Sequence, residues 1–258
     1  MRRILFSARA DDPGATNVRA IPTAMRRSHL LHTLRISALL TGCLAVSVLA
    51  GVPYRPTINP ANFSHVVNHP YFPLVPGTTT TFIEKEGGET REKKTTVTRE
   101  TRISMGVKCV VVHETETLAG VPTEDNLNWF AQDKDGSVWC FGEASKELKS
   151  GGRIITRGSW EAGVGGAQPG IVMLGRLKVG ERYRRNFLTD VAEDIGEVAA
   201  LDEAVTVPFG SYQSCVRIRE WSMLESGASK KWFARGIGLV RIEVTGGEVA
   251  MLVAIERK

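Results

Sequence analysis

Apolar and polar residues alternate with a period of two along most of this chain, and few windows carry the 3.6-residue spacing of a helix. Val107, Cys109, Val111 and His113 alternate with Lys108, Val110, Val112 and Glu114, and Val216 and Ile218 alternate with Arg217 and Arg219. Further along, Val240, Ile242 and Val244 lead through Thr245-Gly-Gly-Glu248 into Val249, Met251, Val253 and Ile255, which is a hairpin pattern because glycine supplies the positive φ of a tight turn. A second hairpin joins residues 128–132 to 137–141 through an Asp135-Gly136 turn, and its strands are rich in aromatic side chains that bury large areas.

Additional strands are expected at residues 79–84, 94–103, 154–160, 182–188, 197–207 and 230–234, which makes about ten. Helix is expected only as a turn at residues 190–198 and a short piece at 60–66. Strands in this number without intervening amphipathic helices predict a mainly β fold: a single antiparallel curled sheet, half-barrel or sandwich. The stretch from Glu161 to Gly170 is too rich in glycine for either element and is expected to cross a sheet end or line an opening.

One stretch breaks the alternation. Arg26, Arg27 and Arg35 precede the uncharged run ISALLTGCLAVSVLA, and Val48-Leu-Ala50 puts small residues where a signal peptidase cuts. Residues 25–50 therefore predict an export signal cleaved after Ala50, with residues 1–24 an extension outside the fold and 51–258 a single β-rich domain. Two other fates stay open. Leu40-Thr-Gly-Cys43 fits a lipobox that would lipidate Cys43, and the run could stay uncleaved as an anchor, though it is short for a span. The expected location is periplasmic, extracellular or envelope-attached, with membrane contact only through this segment or a lipid.

Export changes the meaning of the charge. The formal net charge is +5, but the first fifty residues hold seven arginines, no lysine and two aspartates, leaving 26 basic and 26 acidic residues after them. The exported part is formally neutral, so no electrostatic reason remains to expect nucleic acid. The clusters Arg91-Glu-Lys-Lys94 and Arg182-Tyr-Arg-Arg185 read as solvated strand faces. Cys109, Cys140 and Cys215 form an odd set without metal-ligand spacing. They read as buried small hydrophobes or as one disulfide plus a free thiol, with Cys109 and Cys215 as the candidate pair.

Candidate chemistry is sparse. Asp133-Lys-Asp-Gly-Ser137 begins like a calcium loop, but its twelfth position is Ala144, so no bidentate carboxylate closes it. There is no G-x-S-x-G, and His65, His69 and His113 form no H-E-x-x-H. Neither a metal nor another cofactor is expected. For an enzyme, the carboxylates Glu143, Glu161 and Asp194 are the candidate acid and base, since a pocket that raises one of two pKa values makes such a pair. For a binding protein, Trp129, Trp139, Phe141 and Trp160 could line a site for an apolar ligand, or they could be core.

Five segments together carry a resemblance: Asn68-His-Pro-Tyr-Phe-Pro-Leu-Val-Pro-Gly77, Ala131-Gln-Asp-Lys-Asp-Gly-Ser-Val-Trp-Cys-Phe-Gly-Glu143, Gly158-Ser-Trp-Glu-Ala-Gly163, Val207-Pro-Phe-Gly-Ser-Tyr212 and Ala234-Arg-Gly-Ile-Gly-Leu-Val240. In these the chain resembles a group of uncharacterised exported bacterial β-domain proteins. The resemblance implies a curled antiparallel sheet like that of envelope lipoprotein-handling or lipid-binding domains, and it supplies no activity and no catalytic residue. The expected function is an exported or cell-envelope protein that binds an apolar, lipid-like ligand or an envelope partner; the alternative is a secreted hydrolase or glycan-acting enzyme using the carboxylates named above.

Overall fold

The structure is a computed structural model that describes residues 54–258 apart from residue 87. The expected signal peptide with cleavage after Ala50, the candidate lipobox at Cys43 and the expected 1–24 extension lie outside the described residues.

A 3-10 turn at Pro60–Asn62, its first amide capped by Asn59, leads into β1 (Phe63–Ser64). A small hairpin of its own follows, β2 (Val67–His69) with β3 (Phe72–Leu74). The large sheet then starts with β4 (Thr78–Glu86), β5 (Glu89–Ser104), β6 (Val107–Leu118), β7 (Val121–Asp133) and β8 (Val138–Ala144), each antiparallel to the one before. Short pieces come next: β9 (Glu147–Leu148), β10 (Ile154–Ile155), β11 (Trp160–Glu161), β12 (Gln168–Met173), β13 (Arg182–Arg184) and β14 (Asn186–Phe187). Long strands resume with β15 (Asp194–Val207), β16 (Gly210–Ser222), β17 (Ser229–Ala234), β18 (Gly238–Val244) and β19 (Val249–Arg257).

The order closes on itself. β19 returns to pair with β4, and β12 pairs with β8 on one side and β14 on the other, while β13 pairs with β15. The result is a nearly closed antiparallel barrel, the mainly β curled sheet that the alternation implies. Closure at β12 depends on Gly170, where an added Cβ would sit 2.4 Å from the Arg185 carbonyl carbon. Only a residue without a side chain lets these two backbones approach so closely.

Two cores result. The larger gathers Val97, Val110, Val112, Phe130, Phe141, Val198, Val216, Ile218 and Phe233 from strands all round the barrel. The β2–β3 hairpin seals this half: Phe72 packs edge-on against Phe130 at 5.8 Å and at a tilt against Phe233 at 6.1 Å, bridging β7 and β17. His69 pins the hairpin. Its Nδ1 accepts from the Tyr71 amide at 3.1 Å, which leaves Nε2 to donate to the Leu174 carbonyl at 3.1 Å, and burial lowers its pKa. The smaller core packs Val205, Val207 and Cys215, from the outer half of the β15–β16 hairpin, with Phe82, Trp232, Val240 and Leu252.

Several expectations change. Residues 190–198 hold no helical turn: β15 begins at Asp194, because Asp194 is tied to Asn186 by two hydrogen bonds of 2.7 and 2.9 Å that favour extended pairing. The piece at 60–66 shrinks to the 3-10 turn before β1. The strand expected at 154–160 is two fragments, and the glycine stretch is a tight reversal between β11 and β12 in which the Gly163 amide bonds the Ala167 carbonyl at 2.9 Å. Cys109 and Cys215 do not pair. Both are free and buried, Cys109 in the larger core and Cys215 in the smaller, and Cys140 is free as well. Burial in apolar surroundings pushes all three thiols upward, Cys140 to about 12, so they behave as small hydrophobes.

Candidate functional site

The face that carries Val97, Val112, Val216 and Phe233 changes character part-way along each strand. On β5 it runs Val97, Thr95, Lys93, Arg91; on β6 Val112, Glu114, Glu116; and on β7 Asn128, Asn126, Glu124, by the register of the three strands. Asn128 then pairs across with Glu143 on β8, and Glu143 with Trp160 on β11. The opposite wall repeats the pattern: Val198, Gly196 and Asp194 on β15 face Ile218, Glu220 and Ser222 on β16, with Phe233, Lys231 and Ser229 on β17. One inner surface is therefore apolar at the plugged half and ionisable at the other.

The two walls face each other. Lys231 on β17 feels the charge of Lys93 on β5, and Glu143 on β8 that of Asp194 on β15. Lys93 and Lys231 are four strands apart along the sheet, too far for such an effect unless the sheet curls them together.

Cross-strand pairs of opposite charge organise this half. Arg91 bonds Glu116 at 2.5 Å, and Lys93 bonds Glu114 at 2.8 Å. Burial opposes ionisation of Glu114, but Lys93 beside it wins and holds the carboxyl well below its usual range. On the other wall one carboxylate serves two cations: Glu220 Oε2 accepts from Arg185, and from Lys231 at 2.5 Å. All three side chains are at most 12% exposed. Burial opposes ionisation of Glu220 too, yet the two cations lower its pKa, while burial and then Arg185 leave Lys231 with a lowered one. Buried ion clusters of this kind are weak sources of net stability, since desolvation offsets most of the attraction.

At the boundary between the halves, buried polar atoms lack hydrogen-bond partners. These include Asn128 Nδ2, the Tyr183 hydroxyl and Glu220 Oε1, on residues 1%, 8% and 6% exposed. Tyr183 lies across from Gly196 on β15, its ring against that glycine's backbone, with Arg185 and Glu220 acting on its hydroxyl. Burial pushes its pKa up, so the hydroxyl stays protonated.

The carboxylates expected from sequence divide. Glu143 and Asp194 both fall on the inner surface by register; burial first, then the charges of Glu114 and Asp194, raise the pKa of Glu143. Glu161 is not with them. Its strand neighbour Trp160 takes the inward position, and Glu161 turns outward to bond Arg102 at 2.6 Å. The aromatic candidates are already packed by protein. Trp129 lies opposite Gly142, where an added Cβ would stand 2.4 Å from its ring, and Arg102 covers it at 4.4 Å. Phe141 and Trp139 both pack edge-on against Phe63, and Trp139 donates to Asp133 at 2.7 Å. Trp160 is the member of the four that shares the inner surface with the charged groups.

Sequence reading missed most of this site. It took the clusters at 91–94 and 182–185 for solvated faces, whereas Arg91, Lys93 and Arg185 point inward; Glu92 and Lys94 pair on the other face at 2.8 Å. The usable signal was complementary: bases at i and i+2 on one face of β5 meet acids at i and i+2 on the same face of β6, as the diagonal pairs Arg91–Glu116 and Lys93–Glu114. Among the described residues no group of three His, Cys, Asp or Glu could hold a metal ion, and no helix is long and apolar enough to cross a membrane.

No family model matches the chain, and no curated protein matches it. Among solved structures it is similar to one described as a putative lipoprotein from Parabacteroides distasonis, at 12% identity and a TM-score of 0.39, over 72% of this chain and 98% of that one.

Proposed function

We propose that the protein is an exported cell-envelope domain whose barrel receives a small polar ligand in its charged half. Export rests on the basic, apolar and small-residue sequence of residues 25–50. The ligand reading rests on one observation, the change of the inner surface from apolar to ionisable along strands that otherwise keep their alternation. A barrel that needed only a core would continue the apolar pattern to its end, because buried ion clusters add little stability.

The apolar, lipid-like ligand is the weaker form of this reading. Its aromatic candidates are already in contact with protein, and the remaining inner surface is charged. The hydrolase alternative keeps Glu143, whose pKa burial raises, with Asp194 on the same surface, and loses Glu161. Native mass spectrometry of the chain purified from its own envelope tests the proposal, combined with N-terminal sequencing. A mature start at residue 51 or a lipidated Cys43, with a polar small molecule retained, is the expected result. A cytoplasmic product with an intact leader would overturn the export reading, and a retained lipid would overturn the polar-ligand reading.

A further inference from the structure

Resting on the export reading and on no bound ligand, we infer that one corner of the barrel docks on the lipid bilayer of the envelope. The β16–β17 loop inserts Met223 and Leu224, and the outer-face arginines around Trp221 lie among the headgroups. This loop turns large apolar side chains outward, side by side, just past the end of β16: Met223 is 60% exposed and Leu224 38%. Backbone ties hold them there. The Met223 amide donates to the Glu193 carbonyl at 2.9 Å, and the Leu224 amide to the Ser222 hydroxyl at 3.2 Å.

Trp221 precedes the pair on the outer face of β16, with the guanidinium groups of Arg219 and Arg182 at 4.9 and 5.7 Å from its ring centre. These residue types suit a membrane interface. An indole is an apolar body with one polar tip, and an arginine stem covers apolar surface while its head stays with the headgroups. Arg219 has no carboxylate partner among the described residues, and Arg182, its side chain 65% exposed, bonds Glu197 at 2.6 Å. Glu225, the one acid of the loop, is half-buried.

The place where the described chain begins points to the occupant. Tyr54 lies against Phe187 at 6.2 Å, Arg184 covers Phe187 at 5.1 Å, and Arg184 reaches at 3.9 Å the carboxylate of Glu193, whose carbonyl holds Met223. The barrel therefore receives its N-terminal segment a few contacts from the loop. Cys43 precedes Tyr54 by eleven residues, at most roughly 40 Å of chain, so a lipid on Cys43 or an uncleaved apolar run would keep this corner near the membrane. A second copy of the chain fits less well. Two side chains on one loop fall far short of the roughly 800 Å² per partner that a stable protein interface buries, whereas bilayer binding grows with whatever apolar area is inserted and with basic groups near anionic headgroups.

The test puts an environment-sensitive fluorophore on Met223→Cys or, at the far end of the same strand roughly 40 Å away, on Phe209→Cys. Both are made in the full chain with Cys43→Ser; the remaining thiols are buried and do not compete for the label. Vesicles of phosphatidylglycerol and phosphatidylethanolamine are added, with and without brominated acyl chains. The segment before residue 54 can hold either protein on a vesicle, so the readout is which end of the barrel meets lipid. Emission at position 223 should shift to the blue and be quenched by brominated lipid, emission at 209 should not change, and Arg182→Gln with Arg219→Gln should weaken the quenching at 223. Equal quenching at both positions, no quenching at 223 on vesicle-bound protein, or a blue shift at 223 that grows with protein concentration in the absence of lipid would overturn the inference, the last by assigning the loop to a second copy. A native chain found in the cytoplasm would overturn the export reading and this inference with it, whereas the vesicle outcomes strike the inference alone.

Discussion

The plugged half and the charged half of the barrel share strands, register and alternation, yet they solve the same packing problem in opposite ways. In the plugged half, valines from six strands meet a hairpin that inserts Phe72 between Phe130 and Phe233. In the charged half the same strands present Lys93, Glu114, Asn128, Glu220 and Lys231. Burial of apolar area drives the first arrangement directly, at about 25 cal/mol per Å². The second must overcome desolvation with paired charges and gains little net stability. Folding alone explains only one half, and the other calls for a use.

Substitutions should break the two halves differently. The largest effect is expected where a single change strands charges: Glu220→Leu leaves Arg185 and Lys231 buried around an uncharged side chain and should cost about 3–5 kcal/mol in denaturant unfolding. Phe72→Ala removes the plug's contact with two aromatic rings and should cost about 3 kcal/mol, with the loss appearing as a lower midpoint at unchanged slope. Gly142→Ala would drive a methyl group into the Trp129 ring and should cost about 1–3 kcal/mol, read in the same assay and as a blue or red shift of tryptophan emission.

One pH effect belongs to the plugged half. His69 has a lowered folded pKa, so between that value and the ordinary imidazole value the unfolded chain binds more protons than the folded one. Its contribution is therefore complete above about pH 6.5 and is lost as pH falls below that value. Protonation would also set a second N–H against the Tyr71 amide. Unfolding measured from pH 7.5 to 5 should show a decline that is shallower in His69→Asn. The smallest effect falls at the boundary: Tyr183→Phe deletes an unpartnered buried hydroxyl and should raise stability by about 1 kcal/mol.

The strands were legible in the sequence because alternation and turn chemistry are local. Asp135-Gly136 and Thr245-Gly-Gly-Glu248 fall where hairpins turn, and Gly136 and Gly247 adopt φ of 89° and 96°. Which face points inward was not legible. On β6 both Val111 and Val112 are buried, so the apolar signal does not choose between faces, and further along the strand the inner face is as polar as the outer. Arg91 and Lys93 look like any solvated bases until the register sets them against Glu116 and Glu114. Glu143 and Asp194 were named as carboxylates, but their sharing one inner surface depends on closure through β12 and the short strands β13 and β14, which have too few residues to show a period. The helical turn expected at 190–198 fails for a related reason, since its apolar spacing is overridden by the Asn186 contacts that start β15.

The central claim is that the charged half is not there to hold the barrel together. Replacing its ion cluster as a unit, Arg185→Met with Glu220→Leu and Lys231→Met, tests this most directly by equilibrium unfolding of the triple variant beside the parent chain. The triple variant should be folded, with equal stability or stability raised by about 1–4 kcal/mol, as apolar replacements of buried ion clusters allow. A triple variant that loses several kcal/mol or fails to fold would show that the charges serve the fold itself, and would contradict the account.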